Sequence, residues 1–283
     1  MRVWARFTAV EIARKRLVQM AVAGAVLYGG LLWWVLGQVS FQTGPVGIVN
    51  GTALAQASAL GIAFFINYGL IALFAAFATA GALSADRDLL ALVVRPVSRR
   101  AMVWGRFYGY GGATVLYATL VYGVVILAIG VRFGLPATAL ELMAGWGFFA
   151  LEGLAMAALA LLGSLWLSPM ANGIAVLGLY FLVFLAGSIG QLAHIASSLF
   201  GASNAAAFAY TSAVANLVLP TDAAYRWALF EAMGSIRTTI PLALLGPIGA
   251  GSVTSPLIAV YGVLYVAGVV WLAERGWRRH DLH

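Results

Sequence analysis

The sequence predicts an all-α polytopic membrane protein, and three observations carry that expectation. Hydrophobic residues make up 63% of the 283 positions, and mean hydropathy is +0.97. Only 9% are charged, against about 25% in an ordinary soluble domain, which leaves too little polar surface to cover a soluble core. Apolar runs of about 20 residues recur along the chain, the length a helix needs to cross the hydrocarbon layer. Finally, glycine (33 residues) and alanine are interleaved with large aliphatics. That texture suits helices packed closely in lipid and not the strict alternation of barrel strands.

The leader, residues 1–16, is charged. On a helical projection Val3, Phe7, Val10 and Leu17 share one arc and Arg2, Arg6 and Arg16 lie opposite, with Glu11 and Arg14 blurring the pattern. It reads either as an interfacial helix lying on the membrane or as a basic flank that only sets orientation. Glu11 and Lys15 stand i to i+4, an ion pair contributing about 0.3 kcal/mol. The following apolar run is long and lacks a small-residue cleavage site, so no cleavable signal peptide is expected.

Six spans are expected, with the whole chain, 1–283, forming one transmembrane domain. Span one covers about 17–37 and ends in Leu31-Leu32-Trp33-Trp34, aromatic residues suited to the lipid–water boundary. An uncharged loop from Gln38 to about Thr52 precedes span two, 54–83, which is long enough to tilt or to project beyond the membrane. Asn67 lies within it and reads as a hydrogen bond to a neighbouring helix or as a residue lining a path. Residues 84–100 are the longest charged interruption. Ser84 is placed to cap a helix whose first turn carries Asp86 and Asp88. Pro96 biases Arg95 away from helical geometry, and Ser98 is placed to cap the next helix, which Arg99 and Arg100 enter. Span three covers 103–130; Gly105 and Gly109 form a small-xxx-small pair, followed by Gly112, and predict close packing on another helix.

A short loop, 131–136, leads to span four, 139–167, which holds Glu141 and Glu152. Eleven residues make about three turns, so both carboxylates share a face. Glu141 belongs near the outer boundary. Glu152 lies deeper, where a carboxylate marks either a functional cavity or a structural hydrogen bond, with the acid protonated as one option. A tight turn over Ser168–Gly173 precedes span five, 174–194, and span six covers 256–274. Between them, prolines at 220, 241, 247 and 256 break residues 195–255. That stretch is expected to form an outer segment with short re-entrant helices, or two further spans, with Asp222, Arg226, Glu231 and Arg237 on its solvated face.

Charge distribution gives orientation. Of the sixteen basic residues, Arg132, Arg226 and Arg237 fall on one side of this six-span arrangement and the other thirteen on the side of the leader, the 84–100 segment and the C-terminus. The rule that basic loops stay inside puts both termini in the cytoplasm of a multi-pass cell-membrane protein. The net charge of +7 is thereby explained by span ends, and no nucleic-acid partner is expected. Cysteine is absent, excluding a disulfide framework and a thiolate metal site. The only lysine, Lys15, follows no glycine-rich loop, so no phosphate cradle of that kind is present. His194, His280 and His283 show no ligand spacing beyond an i, i+3 pair. No catalytic residue, resident metal or cofactor is assigned to this chain, and no enzyme signature is found.

One resemblance stands out. An amphipathic leader, six spans, and after span two the series Asp86-Arg87-Asp88, Leu89-Leu90, Leu92, Pro96-Val97-Ser98-Arg99 and Gly105-Arg106 together resemble the permease subunit of ABC-2 type transporters. That family includes the branch of the nitrous-oxide-reductase maturation permease and many drug and lipid exporters. The family often carries Gly-Thr-Leu after its acidic cluster, where this chain runs directly into Leu89-Leu90-Ala91-Leu92. The resemblance implies a membrane half-transporter paired with a second copy of itself or a homologous permease. A separate ATP-binding cassette subunit would supply hydrolysis, holding the ATP and Mg. Contact with that ATPase would fall on Asp86, Arg87, Asp88, Leu89, Leu92 and Arg95 of a coupling helix. Arg6, Glu11 and Arg14 of a connector helix would lie nearby, and Glu152 and Asn67 would be candidates for the substrate path. The implied cargo is hydrophobic or amphiphilic. Two alternatives remain open: a non-transporting membrane anchor or assembly factor, and a proton-coupled secondary transporter using Glu152.

Overall fold

The computed structural model describes residues 8, 11, 15–38, 45–46, 49–84, 98–200, 205–239, 242–250, 253 and 255–279. Six of its helices are long and apolar enough to cross a membrane, and the chain is an all-α polytopic protein. They are found in α1 (Arg16–Gln38), α2 (Gly51–Thr79), α3 (Arg99–Phe133), α4 (Ala139–Gly163), α5 (Pro169–Phe200) and, skipping three shorter helices, the final one. The shorter helices are α6 (Ala205–Val218), α7 (Thr221–Met233) and α8 (Ile236–Thr239). After a 3-10 segment, Leu242–Ile248, the last span is α9 (Ile258–Arg279). Among the described residues the strands are a two-residue antiparallel ladder before α2, pairing β1 (Pro45–Val46) with β2 (Val49–Asn50).

Local chemistry sets the ends of these helices. Ser98 is the N-cap of α3, its side chain accepting from the Ala101 amide at 3.4 Å, as its position predicts. At the other end Gly134 adopts φ +81° and returns its N–H to the Gly130 carbonyl, allowing α3 to stop abruptly. Thr138 and Glu141 form a full capping box at the start of α4. Three expected boundaries are corrected. The second span ends at Thr79 and passes into turns, where a helix to 83 was expected, and α4 stops at Gly163 and not at 167. Pro169 opens α5 five residues before the expected start, because proline fits the first helical turn, whose N–H groups need no partner within the helix. The tight turn expected over 168–173 is therefore mostly helix.

α4 is the central post. It packs against α2, α3, α7 and α9. Its buried face is built of small residues, Gly145, Gly153, Ala157 and Ala160 among them, which let neighbouring backbones close in. Near its end, Asn172 of α5 donates to the Ala80 carbonyl at 2.9 Å and the Ala160 carbonyl at 2.7 Å. One side chain thus ties the exits of α2 and α4 to the start of α5.

Residues 205–233 form a re-entrant hairpin. α6 folds back along α5 with Tyr210, Val214 and Leu217 exposed, while α7 lies buried against α4. The apex, Leu219-Pro220-Thr221, reaches the middle of the bundle, where the Tyr68 hydroxyl donates to Thr221 Oγ1 at 3.3 Å. The return leg ends beside the loop before α4: the Ser235 amide and hydroxyl both donate to the Pro136 carbonyl, at 2.9 and 3.0 Å. Gly234, at φ +43°, makes that turn possible, since a Cβ there would strike the Pro136 backbone. The expected short helices between spans five and six are present, at 14 and 13 residues too short to cross a bilayer. The expectation of a solvated face does not hold for Asp222 and Arg226. Both are buried, the side chains 1% and 4% exposed, and they pair at 2.9 Å between Oδ2 and Nε. Glu231 and Arg237 lie at the other end of α7 and are partly exposed, with Arg237 bonded to Glu141 at 2.9 Å.

Candidate functional site

The end of the bundle that bears Lys15, Arg16, Arg100, Arg106, Arg275 and Arg278 holds two charge clusters, both built on the first turns of α3. In the first, Arg106 is the buried centre, its side chain 2% exposed. Its guanidinium donates to Glu11 and, at 3.4 Å, to Thr8 Oγ1. Tyr110, one turn further along α3, donates its hydroxyl to Glu11 Oε1 at 3.0 Å, and Lys15 donates to the same hydroxyl at 2.8 Å. Lys15 also pairs with Glu11 at 3.2 Å, the i, i+4 contact expected from spacing. Thr8 itself rests on Gly109, where any Cβ would collide with it. Of the small-residue pair Gly105/Gly109, Gly109 makes the close approach expected, and what it admits is Thr8, a helical residue of the leader. Burial works to raise the Glu11 carboxyl, but hydrogen bonding and charge from Arg106, with the charge of Lys15, outweigh it and hold the group below its usual range.

The second cluster centres on Glu274 of α9, its side chain 7% exposed. It accepts from Trp104 Nε1 at 2.8 Å and from Arg278, and lies 3.8 Å from the Arg100 guanidinium. The sequence marks Arg106 as a basic residue near the charged stretch and as part of the Gly105-Arg106 pair of the resemblance, and assigns no role to Glu274 or Tyr110. The available signal for Glu274 was an acid four residues before Arg278 inside an otherwise basic helix end.

Arg100, Trp104 and Arg106 follow residues 84–98 in the sequence. Asp86, Arg87, Asp88, Leu89, Leu92 and Arg95 lie outside the described residues, as do Arg6 and Arg14; Glu11 is the one expected contact residue whose surroundings are defined. On the near side of the gap the Leu83 amide donates to Ser164 Oγ at 3.3 Å, joining the exit of α2 to that of α4. The Ser84 hydroxyl donates back to the Gly81 carbonyl at 3.3 Å.

The two path candidates occupy the middle of the bundle. Asn67 donates to the Val121 carbonyl of α3 at 3.2 Å, the neighbouring-helix role that was one of its two readings. Glu152 is fully buried, with no hydrogen-bond partner for either carboxylate oxygen among the described residues. The Tyr68 ring sits 4.5 Å from Tyr180 and 4.7 Å from Tyr225. Glu141 and Glu152 share the α4 face that meets α7 through Gly145 against Ala228 and Phe148 against Trp227, and Glu141 is bonded to Arg237. Among the described residues no three acidic or histidine side chains converge to hold a metal.

Models of known protein families and curated proteins were both compared with this chain, and neither comparison returned a match. The functional reading therefore rests on the residues themselves.

Proposed function

We propose that this chain is the permease subunit of an ATP-driven exporter of the ABC-2 type. It would sit in the cell membrane with both termini in the cytoplasm and act as a dimer with itself or a homologous permease. A separate ATPase subunit would bind ATP and Mg. Its cargo is hydrophobic or amphiphilic, in keeping with an interior that holds few fixed charges. The observation that carries the reading is the clamping of the start of α3, the helix that follows residues 84–98 in the sequence. Through Arg106 the start of α3 is fastened to the leader, and through Trp104 and Arg100 it is fastened to α9. A displacement delivered to the 84–98 segment would move three elements as one body. That is the requirement for turning a push at the membrane surface into a change of bundle shape.

The test is assembly. The chain co-expressed with its ATPase subunit is expected to co-purify with it, and the triple variant Asp86→Ala, Arg87→Ala, Leu89→Ala is expected to lose that ATPase while staying folded. Retained assembly and transport in the triple variant would overturn the proposal. A second reading, proton-coupled transport, draws on the unpartnered Glu152 carboxyl. The Glu152→Gln variant separates the two. Export by the ATP-driven complex is expected to fall less than about twofold, since the two side chains are nearly isosteric. Loss of gradient-driven transport with ATP absent would favour the proton carrier.

A further inference from the structure

α1 is fastened to the bundle by polar contacts at its basic end and near its middle, and between them, among the described residues, it touches the core only through Val18 and Ala21. Beyond its midpoint the Tyr28 hydroxyl donates to the Ala63 carbonyl at 3.0 Å, Ala25 is fully buried, and Gly29 lies against Val124 of α3. At the basic end Lys15 is bonded to Tyr110. Between these fastenings two clefts open on either side of α1. One, of about 890 Å³, runs between Val18 and Val22 of α1 and Tyr108, Gly112 and Leu116 of α3. The other, of about 560 Å³, lies between Met20 and Gly24 of α1 and Leu73 of α2. They share the back wall formed by Phe74 and Tyr117, whose rings stack at 4.4 Å. A side chain at Gly112 or Gly24 would meet nothing within 4 Å, so the glycines leave this space open.

We infer that the hollow beneath α1 binds an acyl chain of an anionic glycerophospholipid from the leaflet at the basic end. Four features point to that occupant. The lining is apolar, offering little to a polar cargo. The volume lies in the range of small-molecule pockets. From Arg16 to Gly24 the helix rises about 12 Å, close to half of a hydrocarbon core about 30 Å thick, so the hollow matches one chain in one leaflet. α1 opens with Arg16, exposed and two residues before Val18 of the first cleft, whereas Lys15 is already paired with Glu11; a basic residue at the membrane surface favours an anionic headgroup about fivefold. The inference depends on the helices lying in a bilayer and not on the ATPase reading, so either can fail alone.

Native mass spectrometry of the full chain in detergent tests it, with palmitoyl-oleoyl phosphatidylglycerol as probe and phosphatidylcholine of the same chains as comparison. Wild type is expected to keep one lipid that survives activation, with phosphatidylglycerol favoured about fivefold or more. Gly112→Phe with Gly24→Leu should remove that lipid. Gly69→Phe, which fills the separate cleft between α2 and α5, should leave it. Arg16→Gln should keep a bound lipid but lose most of the headgroup preference. Should the filled variant fail to fold, Leu116→Trp closes the same cleft from a position already 72% exposed. Unchanged lipid retention in a folded, filled variant would overturn the inference. So would equal binding of the two lipids by wild type. Loss of a dimer with lipid retained would also overturn it and give the cleft to a second copy.

Discussion

Replacing Arg226 with Met is expected to cost about 3–5 kcal/mol of stability, the usual loss when one partner leaves a buried ion pair. The reason is local. Asp222 Oδ2 pairs with Arg226 Nε at 2.9 Å at the apex of the re-entrant hairpin, and the same guanidinium donates to the carbonyls of Pro247 at 3.2 Å and Gly249 at 2.5 Å. Without Arg226 the Asp222 carboxylate and the buried Gly249 carbonyl lose their charged partner in the interior. Asp222 cannot swing away, because it lies over Gly187 of α5 where even a Cβ would collide with it. The first turn of α7 favours its negative charge but supplies only a fraction of the missing interaction. Thermal unfolding of the detergent-solubilised chain should show the loss. The double variant Asp222→Asn, Arg226→Met removes the stranded charge at nearly constant volume and should recover more than half of it. A double variant no more stable than Arg226→Met would show that the carbonyl contacts, and not the charge pair, hold the hairpin.

Arg106→Met is expected to release the leader from α3. The change removes a buried cation from the contacts with Glu11 and Thr8. At about 3 kcal/mol, and tenfold per 1.4 kcal/mol, the undocked population rises about a hundredfold. Trypsin cleavage at Lys15 in detergent reads that population directly when opening is fast. Lys15 is protected in the docked state by its bonds to Glu11 and Tyr110. Acid should act in the same direction. The Glu11 carboxyl is held below its ordinary value of 4.5, so its contribution is complete above that value and is lost as pH falls through the lowered folded one. Cleavage by a protease active in acid should therefore rise below about pH 4 and not near neutrality. An unchanged rate in Arg106→Met would mean that Tyr110 and Lys15 hold the leader by themselves.

Much of the bundle was legible in the residue order. Spans were readable because hydrocarbon leaves a backbone no partner but its own helix, so every crossing needs a run of the same length. Ser98 announced a helix start and the Glu11/Lys15 spacing an ion pair, since both are local contacts within one turn. Asp222 and Arg226 were misplaced for the complementary reason. Charged residues among prolines look like a surface loop, and only the return of α7 along α4 puts them inside. The close approach of Gly109 was foreseeable, but its partner, Thr8, was not. Glu274 was hidden among basic neighbours until α9 brought it to Trp104 of α3.

Residue order is enough to set the class of solvent, the number and approximate position of the spans, and the side of the molecule on which positive charge gathers. Those follow from composition and from rules that act over one helix length. Tertiary structure alone decided which charges are buried, which glycines receive a neighbour and which leave a hollow, and how the start of α3 joins leader and last helix. The joining of α3 to leader and last helix depends on residues 95 and 170 positions apart meeting in space, and no local pattern records which distant partner a side chain will find.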